Sequence, residues 1–536
     1  MKKVLVNNWP TNAAIGVFLL VLWLTLRVSI QQNHGNLIYA ADDAYIGMAV
    51  ARNIACFGVW GVTRYGFTSS SSTLLWTLLL AVTDYLGGME QIGPLLWNVI
   101  FALLLLVTAG AILSYYKVSQ RASFIALLGL IFLLPLPTLV LLGMEHTLQT
   151  LLTVLTVFLA ARVASNEYPG ATRRDAILLL FLAPMVTSTR FEGAFLVAAT
   201  AGMFLLVKRW RLALGFGFCG TLPLFAHAVI SISKGWFWLP ASVLLKASLP
   251  NSGSGLGFLL SLVNPIVINF HEGLHTLVLL VAVLLVYVLA GGRGSSSTES
   301  RQLMGALLVV LWIAHLEFVG GSSLYRYDAH LCALSLLFLA TQLPVFTPRL
   351  PSLVSASTWQ SARNLACGVL ALVLFLPLAV KGGRLLWFLP QCTTNIFEQQ
   401  YQMGLFVRKY YQGSTVALND IGAVNYLADI HCLDLMGLAN PEVARARRRR
   451  NYQLEDIRNL ARATGTRIAV VYDIWFPGKI PPEWIRVGRW TIPNNVVAGG
   501  DTVSFYAVDP SEGPHLAESL TDFSSQLPPD VYQQGK

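Results

Sequence analysis

Two adjacent carboxylates open the segment Asp42-Asp43-Ala44-Tyr45, just beyond the first apolar stretch of the chain. Carboxylates near a membrane interface are expensive to desolvate and are seldom retained there for packing. Side by side they raise one another's proton affinity, which suits a general base. The same pair suits the start of a helix through AYIGMAVARNIACFG, with an aspartate side chain capping free backbone N–H groups. One carboxylate capping while its neighbour faces a site satisfies both readings. His146 has no neighbour at metal-ligand spacing, so no metal site is expected. The six cysteines contain no CxxC, and Cys219, Cys332 and Cys367 fall in apolar stretches as packing residues. Cys392 and Cys432 fall in the expected C-terminal domain, where an oxidising compartment would favour a disulfide between them.

The elements that must position these groups are mostly membrane helices. Of 536 residues, 55% are hydrophobic and only 12% charged, against about 25% charged in soluble domains. Blocks such as FALLLLVTAGAIL and TLVLLVAVLLVYVLA approach the roughly 20 residues that cross a bilayer core. Spans are expected near 11–30, 93–116, 123–142, 147–164, 176–189, 193–207, 211–232, 272–290, 302–319, 325–343 and 363–381. The apolar stretch Thr73–Leu86 is too short and reads as an interfacial or re-entrant helix. Lys2 and Lys3 before an apolar stretch also fit a cleaved signal peptide, although the many later spans need none.

Charge orients the chain. With the N-terminus cytoplasmic and 73–86 not spanning, Lys2, Lys3, Lys117, Arg121, Arg173, Arg174 and the cluster Lys208–Arg211 fall on one side. That is the positive-inside pattern, and it accounts for the net charge of +10 without nucleic acid. About eleven spans then leave the C-terminal part outside the cytoplasm. The expected domains are a transmembrane unit over 1–381, with its first outer loop at 31–92, and an extracytoplasmic α/β domain over 382–536. In the latter, TVALND, RIAVVYD and DTVSFYAV read as strands, and 398–412 and 452–464 as helices. The run Arg445, Arg447, Arg448, Arg449 and Arg450 reads as a solvated or headgroup-facing helix, with a polyanionic acceptor as the sharper reading.

The segment DDAYIGMAVARNIACFGVW, followed by GFTSSSSTLLWTLLLAV, resembles the first outer loop of the GT-C superfamily of membrane glycosyltransferases. Among these it is most similar to the arabinofuranosyltransferase-like enzymes of bacterial envelope synthesis. The likeness continues in GMEHTLQTLL, TRFEG, WLPASVLLKA, YRYDAHL and DIGAVNYLADIHCLDLMGLANPEVA, all on the expected outer side. Phe191 stands where the family motif has proline, and Ala241-Ser242 where it has asparagine.

The resemblance implies a GT-C-like bundle and inverting transfer of a sugar from a polyprenyl-phosphate donor to an envelope glycan, lipid or protein. The site would lie at the outer face of the bacterial cytoplasmic membrane. Such a reaction needs a base on the acceptor hydroxyl and cations on the departing phosphate. Asp42 is the first choice for base, with Asp43 as alternate or partner. Arg190, Lys246 and Arg326 are the candidate phosphate ligands. Tyr45, Glu145 and Glu192 are candidate sugar contacts. No cofactor is assigned, and a divalent cation is compatible with the chemistry. Each cation also has an ordinary reading: Arg190 in an ion pair with Glu192, Lys246 reaching headgroups, Arg326 paired with Asp328. The alternatives are a lipid-linked sugar transporter or flippase binding phosphate through the same basic residues, a sugar-polymer ligase of another fold relying on His or Arg, and a non-catalytic membrane scaffold that would tolerate loss of both Asp42 and Asp43.

Overall fold

The computed structural model describes residues 8–88, 91–165, 173–246, 273–290, 296–319, 324, 326–346 and 357–535, the side chains of 246, 296–298, 346 and 357–374 excepted. Among the described residues, the N-terminal part holds helices and no strand: α1 (Trp9–Gln32), α2 (Asp42–Phe57), α3 (Leu74–Gly87), α4 (Gly93–Tyr115), α5 (Gln120–Phe132), α6 (Leu136–Leu141), α7 (His146–Ala164), α8 (Arg173–Thr189), α9 (Gly193–Leu206) and α10 (Trp210–Ser233). It continues with α11 (Ala241–Lys246), α12 (Leu274–Ala290), α13 (Ser296–Phe318), α14 (Ala329–Phe346) and α15 (Ser357–Ile396).

Each expected apolar span carries a helix. Six of the described helical stretches are long and apolar enough to cross a membrane, whereas α9, α12 and α14 are apolar but shorter. The stretch 123–142 is two helices, because Pro135 and Pro137 remove backbone donors and crowd the preceding turn. Helix α7 sits at the centre with nearly every residue buried. Large apolar side chains instead stand exposed on α1 and α8–α10, Leu206 at 85% and Phe225 at 70%. Apolar surface of that kind is what a lipid-facing wall requires and a water-facing one avoids. The short α3 packs along α2 and ends at Gly88 in the left-handed region.

The C-terminal part holds β1 (Thr415–Leu418), α17 (Ala423–Leu427), β2 (His431–Asp434), α18 (Pro441–Arg448), α19 (Leu454–Ala463), β3 (Ile468–Val471), β4 (Ile485–Thr491), β5 (Thr502–Ala507), α20 (Gly513–Phe523) and β6 (Tyr532–Gly535), preceded by α16 (Gln402–Tyr410). The six strands form one mixed sheet in the order β2-β1-β3-β5-β4-β6. Strands β2, β1 and β3 run parallel, and the β3–β5, β5–β4 and β4–β6 pairs are antiparallel. Alternation sends Val416, Leu418, Ile468 and Val470 to one face, against Phe406, Leu516 and Phe523. Ala417, Ala469 and Val471 face the other way, against Val443, Ile457 and Ala461. Both faces are therefore covered by helices, as a sheet with a parallel core requires.

Three strands that the pattern does not announce, β2, β4 and β6, complete the sheet. Helix α15 runs unbroken past position 381 to Ile396 and passes through a π turn (Phe397–Tyr401) into α16. Cys392 consequently lies buried on α15 rather than in the sheet domain, and both Cys392 and Cys432 are free thiols, so the expected disulfide is absent.

Candidate active site

Helix α2 begins with Ala41 as its N-cap, whose side chain makes no capping bond. Asp42 and Asp43 occupy its first turn, where their charge complements the positive end of the helix. The two carboxylates then diverge. That of Asp42 reaches the C-terminal domain and accepts hydrogen bonds from the backbone N–H of Gly422 (2.9 Å) and of Ala423 (2.8 Å). It thus caps α17, not its own helix. Ten residues along α2, the Arg52 guanidinium donates to the Asn425 carbonyl (3.1 Å) and to that of Tyr426. The short α17 is held at both ends by side chains of one helix.

A side chain at 422 is excluded, since a Cβ there would lie 2.1 Å from the Asp42 carbonyl oxygen and 2.6 Å from its carboxylate. Asp420 stands nearby and accepts from Gln400 Nε2 (3.0 Å) and the Tyr472 hydroxyl (3.0 Å). Burial and then the Asp420 charge hold the Asp42 carboxyl above the usual carboxylate range, against the pull of its two N–H donors.

Asp43 turns the other way. Its carboxylate accepts from Arg326 Nη1 at 2.6 Å, and it lines a cavity of about 470 Å³ between the bundle and the C-terminal domain. The polar end of this cavity also carries Glu145, Arg190, Glu192 and Tyr327, and the rest is largely apolar, including Trp76, Phe195 and Phe318. Ser70 to Thr73 form part of the wall, so the small residues of GFTSSSST leave space at that point. Trp238 lines the cavity too.

Arg190 is buried and fully engaged. It donates to Glu192 from Nε (3.1 Å) and Nη2 (2.8 Å) and to Glu145 from Nη1 (2.5 Å). The Arg190–Glu192 pairing foreseen as the ordinary reading is thus present and extended by Glu145. Gly143 makes the approach of Glu145 feasible: it takes φ +70°, and a Cβ would lie 2.5 Å from the Tyr39 ring. Arg326 lies beside Asp43, not Asp328. Asp328 is fully buried and pairs with His275 (2.6 Å) and Lys381 (3.8 Å).

Tyr45, a candidate sugar contact, is buried in the core, where its hydroxyl accepts from the Tyr39 backbone N–H (3.1 Å). It does not line the cavity, because three residues along α2 from Asp42 its side chain faces inward. Lys246 closes α11 beside the cavity wall formed by Ser242 and Val243, and its side chain lies outside the described residues. Asp434 serves a turn, accepting from the N–H groups of Met436 (2.7 Å) and Ala439 (2.6 Å). Burial lifts its carboxyl to about 6 despite those donors.

Among the described residues, one group brings three potential metal-ligand atoms together: His275, Asp328 and Cys332. The Lys381 ammonium lies 2.9 Å from His275 Nε2 and already occupies its position. Sequence reasoning overlooked Arg52, Gly422, Tyr327 and Ser70–Thr73. The spacing of Arg52 from Asp42 was visible, but its partner lies some 370 positions away.

Comparison with known proteins agrees with this arrangement at the level of fold. A family model for a domain of unknown function, DUF8728, matches residues 394–506. No curated protein matches the sequence significantly. Two solved structures of ArnT from Cupriavidus metallidurans share the fold. The one bound to undecaprenyl phosphate has a TM-score of 0.53 and 12% identity over 95% of this chain and 99% of that one. The apo structure has a TM-score of 0.52 and 13% identity over 93% and 99%. At 12–13% identity the likeness is one of fold. At this identity the arabinofuranosyltransferase-like subgroup gains no support.

The Asp42–α17 contact makes two predictions. Gly422→Ala should destabilise the docked C-terminal domain by about 1–3 kcal/mol, as overpacking does, read as a lower Tm and faster proteolysis at the junction; unchanged values would remove the contact's importance. Because Asp42 holds its proton to higher pH folded than unfolded, its contribution is lost as pH rises between 3.8 and about 8. Thermal melts of Asp42→Asn should therefore show a flatter pH dependence over that window than the parent.

Proposed function

We propose that this chain is a multi-pass glycosyltransferase of the bacterial inner membrane that takes its sugar from a polyprenyl-phosphate donor. The acceptor is a glycan, lipid or protein of the envelope. The observation that carries this reading is a single cavity whose polar end holds Asp43 and whose remainder is apolar. An amphiphile with a sugar-phosphate head and a polyprenyl tail fits that division. The ArnT fold supports it, since one ArnT structure is bound to undecaprenyl phosphate.

Asp43 is the general base in this reading, and Asp42 is the anchor that fixes it. Asp43 takes the proton of the acceptor hydroxyl as the oxygen attacks the anomeric carbon, and the lipid phosphate leaves with the bonding pair. The displacement inverts the anomeric centre in one step. Arg326 already touches Asp43, so an arriving phosphate would draw the guanidinium away and free the carboxylate. Glu145 and Glu192 orient sugar hydroxyls, and Arg190 holds them in place as a positioning residue. Asp43, Glu145 and Glu192 face Arg190 and Arg326, so a bound phosphate requires a further cation, and in this reading Lys246 at the end of α11 supplies it.

The topology belongs to the same proposal: eleven spans, the N-terminus cytoplasmic, α3 lying at the interface, and the C-terminal domain outside. Cys56, exposed at the end of α2, should then react with a membrane-impermeant maleimide in intact cells. Labelling only after lysis would invert the orientation. With a polyprenyl-phosphate sugar, Asp43→Asn should lower kcat by about 10²-fold or more, the range of general-base catalysis. Arg326→Ala should weaken donor binding. Full transfer by Asp43→Asn, or a greater loss in Asp42→Asn, would overturn the assignment.

A further inference from the structure

A second cavity, of about 210 Å³, opens in the C-terminal domain and plays no part in the chemistry above. Arg447, Arg450 and Lys479 bring three cations to it, and among the described residues no carboxylate lines it. Tyr452, Trp475 and Phe476 supply aromatic surface. Parts of this wall are fixed in advance. Arg447 Nη1 donates to the Met436 carbonyl at 3.0 Å, and the Trp475 indole N–H donates to the Gly499 carbonyl at 3.0 Å. Lys479 Nζ lies 5.6 Å from the centroid of the Tyr452 ring.

Tyr452 contributes its ring to the cavity wall, with its hydroxyl buried behind it. It is 7% exposed, yet its hydroxyl has no hydrogen-bond partner among the described residues. A buried hydroxyl left unpaired costs about 1–3 kcal/mol, so such groups normally meet a partner. Cations here demand a negative charge, whereas the aromatic faces suit the C–H face of a sugar ring. At about 30 Å³ per water, the space equals about seven waters, more than an inorganic phosphate fills and of the order of one pyranose.

The position matters as much as the chemistry. Met436 lines this cavity and Leu438 lines the one holding Asp43. Two residues of chain span at most about 7 Å, so one strap separates the two spaces. Helix α18, which carries Arg447, is tied to the outer end of the bundle by Arg445, donating to the Gly235 carbonyl at 2.6 Å. We propose that this cavity is the acceptor subsite and binds an anionic saccharide unit of the molecule that receives the sugar. The acceptor role rests on the transferase reading above; the anionic-saccharide affinity does not.

The test uses the full chain in zwitterionic-lipid nanodiscs, without donor, and saturation-transfer NMR with glucose 6-phosphate and glucuronate. Both should bind at least tenfold more tightly than glucose or inorganic phosphate. Arg450→Ala/Lys479→Ala should lower that affinity at least tenfold, and Trp475→Ala should remove saturation of the ring protons. No binding, or binding unchanged in these variants, overturns the proposal. Inorganic phosphate binding as tightly as the sugar phosphate reduces the site to a simple anion site. Competition by phosphatidylglycerol nanodiscs reassigns it to a lipid headgroup. In transfer assays the Arg450/Lys479 pair should raise the acceptor KM tenfold and leave the donor KM unchanged. Because binding is measured without donor, its failure is separable from that of the Asp43 assignment.

Discussion

The grip of α2 on α17 is the contact on which the arrangement of both halves depends. A helix of five residues cannot satisfy its own terminal N–H and C=O groups or persist unaided. Here α2 supplies both missing partners, the Asp42 carboxylate at one end and the Arg52 guanidinium at the other. The Arg52 charge also matches the sign of the helix end it meets. The approach is close enough that position 422 must be glycine, with the neighbouring backbone occupying the place of a side chain. Since α2 also carries Asp43, docking of the C-terminal domain and the aim of the cavity carboxylate are set by the same rigid element.

The rest of the polar machinery follows the rule that charge withdrawn from water is paired. Arg190 is held by two carboxylates and Asp328 by His275 and Lys381. Such networks contribute little net stability but fix geometry, because breaking one member leaves another charge buried and unpaired. The Asp328 network anchors the start of α14, immediately after Arg326 and Tyr327. Arg326 in turn reaches Asp43. The polar end of the cavity is therefore built from loops that each carry their own electrostatic anchor, while the apolar remainder takes its shape from helix packing.

Much of this was legible from residue order. The apolar stretches predict helices where helices lie, because a bilayer-length apolar run admits few other structures. The shortness of 73–86 separates α3 from the long helices, and the strands β1, β3 and β5 announce themselves by β-branched and aromatic runs. Strands β2, β4 and β6 are polar or glycine-bearing and acquire their state from their neighbours in the sheet. The Cys392–Cys432 pairing failed for a similar reason: α15 continues past the end of the apolar stretch and keeps Cys392 among bundle residues.

The Asp42-Asp43 pair shows where local reading ends. The sequence by itself determined that two carboxylates begin a helix just beyond the first apolar stretch, and it offered both capping and a site-facing role for them. Only the tertiary structure decided where each one points. Successive residues in a helical first turn point about 100° apart, and the direction of each acquires meaning only from what stands there. For Asp42 it is the start of α17, some 380 residues away, and for Asp43 it is Arg326 and the cavity.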